Sequence, residues 1–191
     1  TNLAATDQML DSPTNNFATL NPLVVTDTAT FLEGNLEVLL PAANASGFDT
    51  IGMEAGKWYY EILYVAATAN ALTIGLIEGT QSPTSAFSSG AGTVGYFGND
   101  GDKYLDGVRT AYGVFYTAAD IIGVEVDRDN DTVTFYKNNV SQGSITTASL
   151  NGTLHTYMEN GTGTGTQDFV ANFGQDSSFA GNKTAQGNSD S

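Results

Sequence analysis

The stretch from Ile121 to Ile145, IIGVEVDRDNDTVTFYKNNVSQGSI, decides the fold. Apolar residues recur at every second position in Ile122-Gly123-Val124-Glu125-Val126, the period of a half-buried strand and not of a helix. Arg128 to Asp131 and Asn138-Asn139 interrupt that period. Asn and Asp tolerate the positive φ that tight hairpin turns require. The spacing therefore predicts three consecutive antiparallel strands: one ending at Asp127, one over Thr132–Lys137 and one over Val140–Ile145.

The same pattern extends outward in both directions. In Trp58 to Val65, one face carries Trp58, Tyr60, Ile62 and Tyr64, and the other Tyr59, Glu61, Leu63 and Val65. A strand apolar on both sides is covered on much of both sides. Asn35 to Leu40 is expected to bury Leu36, Val38 and Leu40, and Leu72 to Leu76 and Phe169 to Phe173 repeat the alternation. Turn clusters are read at Ala43 to Gly47 and Gly98 to Gly107. No stretch sustains a 3.6-residue apolar period, so helix is limited to short turns, one expected around Ala118 to Asp120. Many short strands separated by turn signals predict an all-β sandwich or barrel.

Composition bounds the chemistry. The 191 residues suffice for one domain that removes roughly 70% of its extended-chain surface from water. Twenty-one acidic against six basic side chains give a formal charge of -15. That balance disfavours nucleic acid and anionic membranes, because both are held by Lys and Arg. With no cysteine, disulfides, thiolate metal sites and thiol catalysis are excluded, and the single histidine, His155, rules out a multi-histidine metal centre. No apolar run reaches the roughly 20 residues of a membrane-spanning helix, and no signal peptide is visible. The chain starts at Thr1 without Met, which reads as a processed product or a fragment.

The expected organisation is one sandwich over residues 31–180, preceded by an arm (1–30) that packs Phe17 and Leu20 on it. Residues 181–191 contain no large apolar side chain and read as a disordered or truncated tail.

Several segments in order resemble one family. Gly56-Lys57-Trp58-Tyr59-Tyr60-Glu61-Ile62 resembles the opening strand of the SPRY (B30.2-like) domain, and Ile74-Gly75-Leu76 its next strand. Gly95-Tyr96-Phe97-Gly98 with Lys103-Tyr104 and Gly107 resembles its central turn region. Asp120 to Asp127, continued by Thr134 to Asn139, resembles its most recognisable hairpin, and Ala171 to Gln175 its late strand. The resemblance runs from Gly56 to Gln175. It implies a bent, antiparallel two-sheet β-sandwich similar to the concanavalin A-like jelly roll, with Trp58, Tyr60, Phe135 and Phe173 between the sheets. Gly75 and Gly123 are then read as points of close sheet approach or bulging. A narrower resemblance covers Asp11 to Leu23, which is similar to the lead-in of SPRY-type modules in marine bacteriophage structural proteins, where a strand like Phe31 to Leu40 follows. Those modules continue into a closing segment that is not reached by Ser191, again reading as a fragment.

Four chemical candidates were weighed. Asp127, Asp129 and Asp131 alternate as in the start of a calcium loop, but Thr132 and Asn138 stand where an EF-hand needs Gly and an acidic ligand. A hairpin turn with Asx-type hydrogen bonds is favoured, with a partial surface Ca2+ site as the lesser reading and no other cofactor. Glu125 and Asp127 share a strand face, as paired carboxylates of glycosidases do, but Asn130 stands where the resembling motif requires Glu. His155 has no G-x-S-x-G elbow to serve and reads as a structural or exposed residue. Gly161-Thr162-Gly163-Thr164-Gly165 lacks the Lys and the following helix of a phosphate loop, and is expected to be a flexible hairpin loop.

What remains is a binding surface. SPRY modules bind through loops at one end of the sandwich, and the matching positions here are Tyr96, Phe97, Asn99, Asp100, Tyr104 and Asp106. Aromatic rings beside amide and carboxylate groups suit sugar or peptide recognition. The resemblance thus implies a non-enzymatic module of a phage fibre, tail or decoration protein, at a virion surface or extracellular. Its partners would be other virion proteins, a host-surface glycan or a host protein, and the fibre analogy implies a homo-oligomer. The alternative is a carbohydrate-active enzyme, hydrolase or lyase, of concanavalin A-like fold; a third reading is a cellular protein-binding adaptor.

Overall fold

A computed structural model describes residues 16–24, 29–41, 45–67, 72–82, 86–161 and 165–184. Within them lie thirteen strands: β1 (Thr30–Leu32), β2 (Glu37–Leu40), β3 (Ser46–Phe48), β4 (Lys57–Ala67), β5 (Leu72–Glu78), β6 (Thr93–Phe97), β7 (Lys103–Leu105), β8 (Val108–Thr110), β9 (Ile121–Asp127), β10 (Thr132–Lys137), β11 (Val140–Thr146), β12 (Leu154–Asn160) and β13 (Gln167–Asn172). They form two antiparallel sheets, a seven-stranded one in the order β1-β2-β13-β4-β9-β10-β11 and a six-stranded one in the order β3-β12-β5-β6-β7-β8. The expected all-β sandwich is the observed fold. No helix among the described residues is long and apolar enough to cross a membrane.

The Ile121–Ile145 stretch forms the expected ribbon. Val124 pairs with Phe135 and Val126 with Val133, so both apolar pairs face inward. Asn138 and Asn139 take φ of 47° and 66°, the positive values of a two-residue hairpin turn. Facing sheets bury Val38, Tyr60, Ile62, Ile74, Leu76, Tyr96, Phe135 and Phe169 in one core. Two smaller clusters cover the outer faces. Phe48, Ile77, Phe87 and Tyr157 lie on the six-stranded sheet, and Leu63, Val170 and Phe179 lie on the other. The second explains why β4 is apolar on both sides.

Several local expectations need correction. The expected strand from Phe31 to Leu40 is a hairpin: Glu33–Asn35 form a 3-10 turn with Gly34 at φ 63°, and Phe31 pairs with Val38. Within the expected turns, Ser46–Phe48 is a buried strand pairing with β12, and Lys103–Leu105 pairs with β6. Ala118 and Ala119 make a turn with Ala119 at φ 72°, not helix. Trp58 does not fill the space between sheets; it is 39% exposed at the start of β4 and its indole N–H donates to the Ala55 carbonyl at 2.8 Å. β12 and β13 belong to different sheets; of the expected loop 161–165 between them, residues 162–164 lie outside the described residues.

Gly75 and Gly123 serve contacts within a sheet, not between sheets. A Cβ on Gly75 would stand 2.0 Å from the Val94 carbonyl oxygen of the neighbouring strand, and one on Gly123 would stand 2.5 Å from the Tyr59 hydroxyl. Leu20, from the expected arm, is fully buried and its N–H donates to Asn35 O, while Asn21 N–H donates to Phe48 O. Phe17 is only half-buried, against Gly174. Residues 1–15 of the arm and 185–191 of the tail lie outside the described residues.

Candidate functional site

Alternation along β5, β6 and β12 sends every second side chain outward from the six-stranded sheet. Glu159 pairs with Thr73 and Thr73 with Phe97, so these three form one row across that outer face. Tyr104 and Arg109 extend it from β7 and β8, where they pair with each other. Phe87 folds back over the sheet from the segment between β5 and β6. Gly95 is its seat: a Cβ there would lie 2.7 Å from the Phe87 ring. The result is a pocket of about 250 Å³ lined by Thr73, Phe87, Phe97, Asn99, Tyr104, Arg109 and Glu159, among others. That is slightly below the range of small-molecule clefts, roughly 300–1,000 Å³.

The electrostatics of the pocket are unequal. Arg109 on the rim is paired with two acids: its Nε–H donates to Asp102 Oδ2 at 2.9 Å and a terminal nitrogen pairs with Asp100. Its guanidinium lies 5.0 Å from the Phe97 ring centre and 5.9 Å from that of Tyr104. Glu159 is only 3% exposed, and its one hydrogen bond among the described residues is accepted at Oε2 from the Phe87 N–H at 2.9 Å. Burial pushes its carboxyl above the usual carboxylate range. Burial likewise raises the Tyr104 hydroxyl, helped by the charges of Glu159 and Asp102.

Of the six residues expected to bind, Phe97, Asn99 and Tyr104 line this pocket, and Asp100 joins it through Arg109. Tyr96 does not. It points into the core, where its ring meets Tyr112, Tyr116 and Phe135 and its hydroxyl donates to the Val114 carbonyl. Asp106 holds the β7–β8 turn at φ 50° and accepts the Gly92 N–H at 2.7 Å. The Arg109 guanidinium lies against one face of both Phe97 and Tyr104. Thr73, Phe87, Arg109 and Glu159 were not anticipated. An acid directly after the strand-like run Leu154 to Met158 was the available signal for Glu159.

The pocket adjoins the loops at one end of the sandwich. Gly113 N–H donates to Gly101 O at 2.8 Å and Tyr116 N–H to Gly98 O at 3.0 Å, fastening segment 111–117 to the loop after β6. Lys137 holds the same segment by donating to Phe115 O at 2.9 Å, while pairing with Asp120 at 3.2 Å. Val114, Phe115 and Val140 are more than half exposed there, with Phe115 at 56%.

The other candidates are separated or engaged. Asp127 pairs with Lys57 at 3.1 Å and accepts the N–H groups of Asp129 and Asn130. Asp129 accepts the Gly56 N–H at 2.9 Å, and Asp131 is 3.8 Å from Arg128. The three carboxylates thus close a hairpin, and among the described residues no group of three His, Cys, Asp or Glu is arranged to hold a metal ion. Glu125 accepts the Tyr136 hydroxyl at 2.5 Å. His155 contacts buried Asp49 through Nδ1 at 2.8 Å and stacks on Phe48 with ring centres 4.6 Å apart. Thr153, whose methyl lies beside that ring near Gly52, gives its hydroxyl proton to Glu54.

A family profile described as SPRY domain matches residues 57–176. No curated protein sequence matches the chain. Among solved structures, the SPRY domain of human HERC1 superposes with a TM-score of 0.73 at 13% identity, covering 82% of this chain and 99% of that one. The TRIM65 PSpry domain gives 0.64 at 14% identity, covering 82% and 92%. Stonustoxin gives 0.62 at 18% identity, covering 82% of this chain and 27% of that one. At such identities the structural likeness carries the fold, and the profile match over most of the chain carries the family. The β-sandwich with its pocketed loop end is therefore a member of the SPRY domain family, a family of protein-binding modules.

Proposed function

We propose that this domain is a non-enzymatic attachment module that grips a protein partner with its loop end, and that its parent protein displays it at a virion surface as a fibre, tail or decoration component. The pocket around Glu159 carries the first half of this reading. Its carboxylate, open to the pocket, lies at the same end of the sandwich as exposed Val114, Phe115 and Val140. An anchor pocket beside an apolar rim is how a few interface residues come to carry most of the binding energy. The virion half is supported by the phage-like segment Asp11 to Leu23 and by a strongly acidic chain, whose copies repel and stay dispersed. A glycan partner fits less well, since Arg109 already covers one face of each of the Phe97 and Tyr104 rings. The enzyme alternative fits less well too, because Glu125 and Asp127 are tied into separate hydrogen bonds.

The test is a random-peptide selection on the immobilised domain, followed by affinity measurements. Selected peptides should bind Tyr104→Ala and Phe115→Asp about tenfold or more weaker than wild type. They should bind Asn151→Ala, at the opposite end, equally well. Undiminished binding to both loop-end variants contradicts the proposal, as does turnover of a sugar polymer. Mass spectrometry of purified particles that fails to find the parent chain contradicts the virion assignment.

A further inference from the structure

We infer that the pocket on the outer face of the six-stranded sheet is a receptor for one cationic side chain, of lysine or arginine type, on a protein partner. This rests on the interaction surface proposed above and names the chemistry it selects.

Two buried carboxylates on β12's face of the protein make the argument by contrast. Asp49, 3% exposed, has a partner on each oxygen: His155 Nδ1 at 2.8 Å and the Thr156 N–H at 3.0 Å. Glu159 is equally buried and, among the described residues, accepts only the Phe87 N–H. A carboxylate offers about four acceptor sites, and Glu159, which lines the open pocket, keeps acceptor capacity there for a donor that enters it. The cation that lines the pocket does not relieve Glu159, because Arg109 is committed to Asp100 and Asp102. Counting Glu159, Asp100 and Asp102 against Arg109 leaves two net negative charges around the opening.

The walls suit the stem of such a side chain. Phe87, Phe97 and Tyr104 offer apolar contact to methylene groups, and Thr73 and Asn99 offer polar atoms near the charged end. Ring edges and faces also favour a cation electrostatically, as the position of Arg109 over Phe97 and Tyr104 already illustrates. The volume, about 250 Å³, lies below that of most small-molecule clefts, which suits one side chain and not a folded segment. The overall charge of -15 adds long-range attraction for a basic partner.

The probes are three acetylated, amidated tripeptides with glycine at both ends and lysine, arginine or norleucine at the centre, titrated by NMR into the intact domain. Lysyl or arginyl peptide should shift the amides of Phe87, Thr73 and Gly161 and bind about tenfold or more tighter than the norleucyl peptide, the worth of one charged hydrogen-bonded contact. Glu159→Gln, which keeps the shape and the acceptor for Phe87, should erase that preference. The same variant should unfold at the same or a higher temperature at pH 8, because it removes an unpaired buried charge. Equal binding of all three peptides in the pocket overturns the cationic assignment while leaving the loop-end surface intact. Absence of any pocket response overturns it as well, and the random-peptide selection then judges the surface separately. A Glu159→Gln domain that keeps the lysine preference, or that melts several degrees lower, shows a carboxylate kept for structure and also overturns it.

Discussion

Truncation of Phe135 to Ala should destabilise the domain by about 3–5 kcal/mol, lowering the urea midpoint without changing the slope of the transition. Phe135 is fully buried on β10, opposite Val124 of β9. Its ring lies 5.6 Å from that of Tyr96 and 6.1 Å from that of Tyr112, on strand and loop positions that belong to the other side of the core. Removing it opens a void that tethered rings cannot fill. Tyr116 is fixed by a hydroxyl whose one proton is shared between Leu72 O and Tyr96 O, and Tyr96 is bonded to Val114. Hydroxyls pinned to backbone carbonyls keep these rings from collapsing inward, so the loss belongs near the upper part of that range. Phe115→Ala is the contrasting control. That ring is more than half exposed, and its truncation should change stability by no more than about 0.5 kcal/mol. Similar midpoints for the two variants would refute the assignment of the core.

Gly75→Ala should be the most damaging small substitution, costing at least the roughly 1–3 kcal/mol of an overpacked site. The added methyl would meet Val94 O at 2.0 Å and Gly95 Cα at 2.6 Å. Both are backbone atoms of β6, so relief requires β5 and β6 to part along a register that runs from Thr73–Phe97 to Ile77–Thr93. The Tyr60 hydroxyl, which donates to Gly75 O at 3.2 Å, would be strained with it. Gly123→Ala supplies the comparison. Its methyl would meet the hydroxyl end of the exposed Tyr59 side chain, which can swing away. Thermal unfolding should therefore rank Gly75→Ala well below Gly123→Ala. The reverse order would mean that β5 and β6 are not this close.

How much of this was legible in the sequence depends on whether a feature is local. The Ile121–Ile145 ribbon was readable because alternation and Asn-rich turns are properties of neighbouring residues, and its strand limits agree with those observed to within a residue. Failures came where the third dimension decides. The sequence Phe31 to Leu40 alternates well enough for one strand, yet Gly34 lets the chain reverse and pair with itself. Ser46–Phe48 has turn-like composition and becomes a strand only because β12 offers a free edge.

The site divides in the same way. Phe97, Asn99 and Tyr104 were reachable by their place in a recognisable family segment. Tyr96 was not separable from Phe97 on that basis, and strand alternation alone sends it to the opposite face. Glu159, Phe87 and Thr73 lie at distant sequence positions and converge through sheet register and one folded-back segment. Pairing across that distance leaves no local signal beyond an acid at the end of a strand-like run.

The central claim is that this SPRY sandwich engages its partner with the loop end around Glu159. Amide hydrogen exchange with a peptide recovered by selection addresses it directly. Slowed exchange confined to residues 97–102, 109–117 and 159–161 is the predicted footprint. Protection at Gly56, Arg128 to Asp131 and Asn151 to Thr153 instead, at the other end of the molecule, would contradict it.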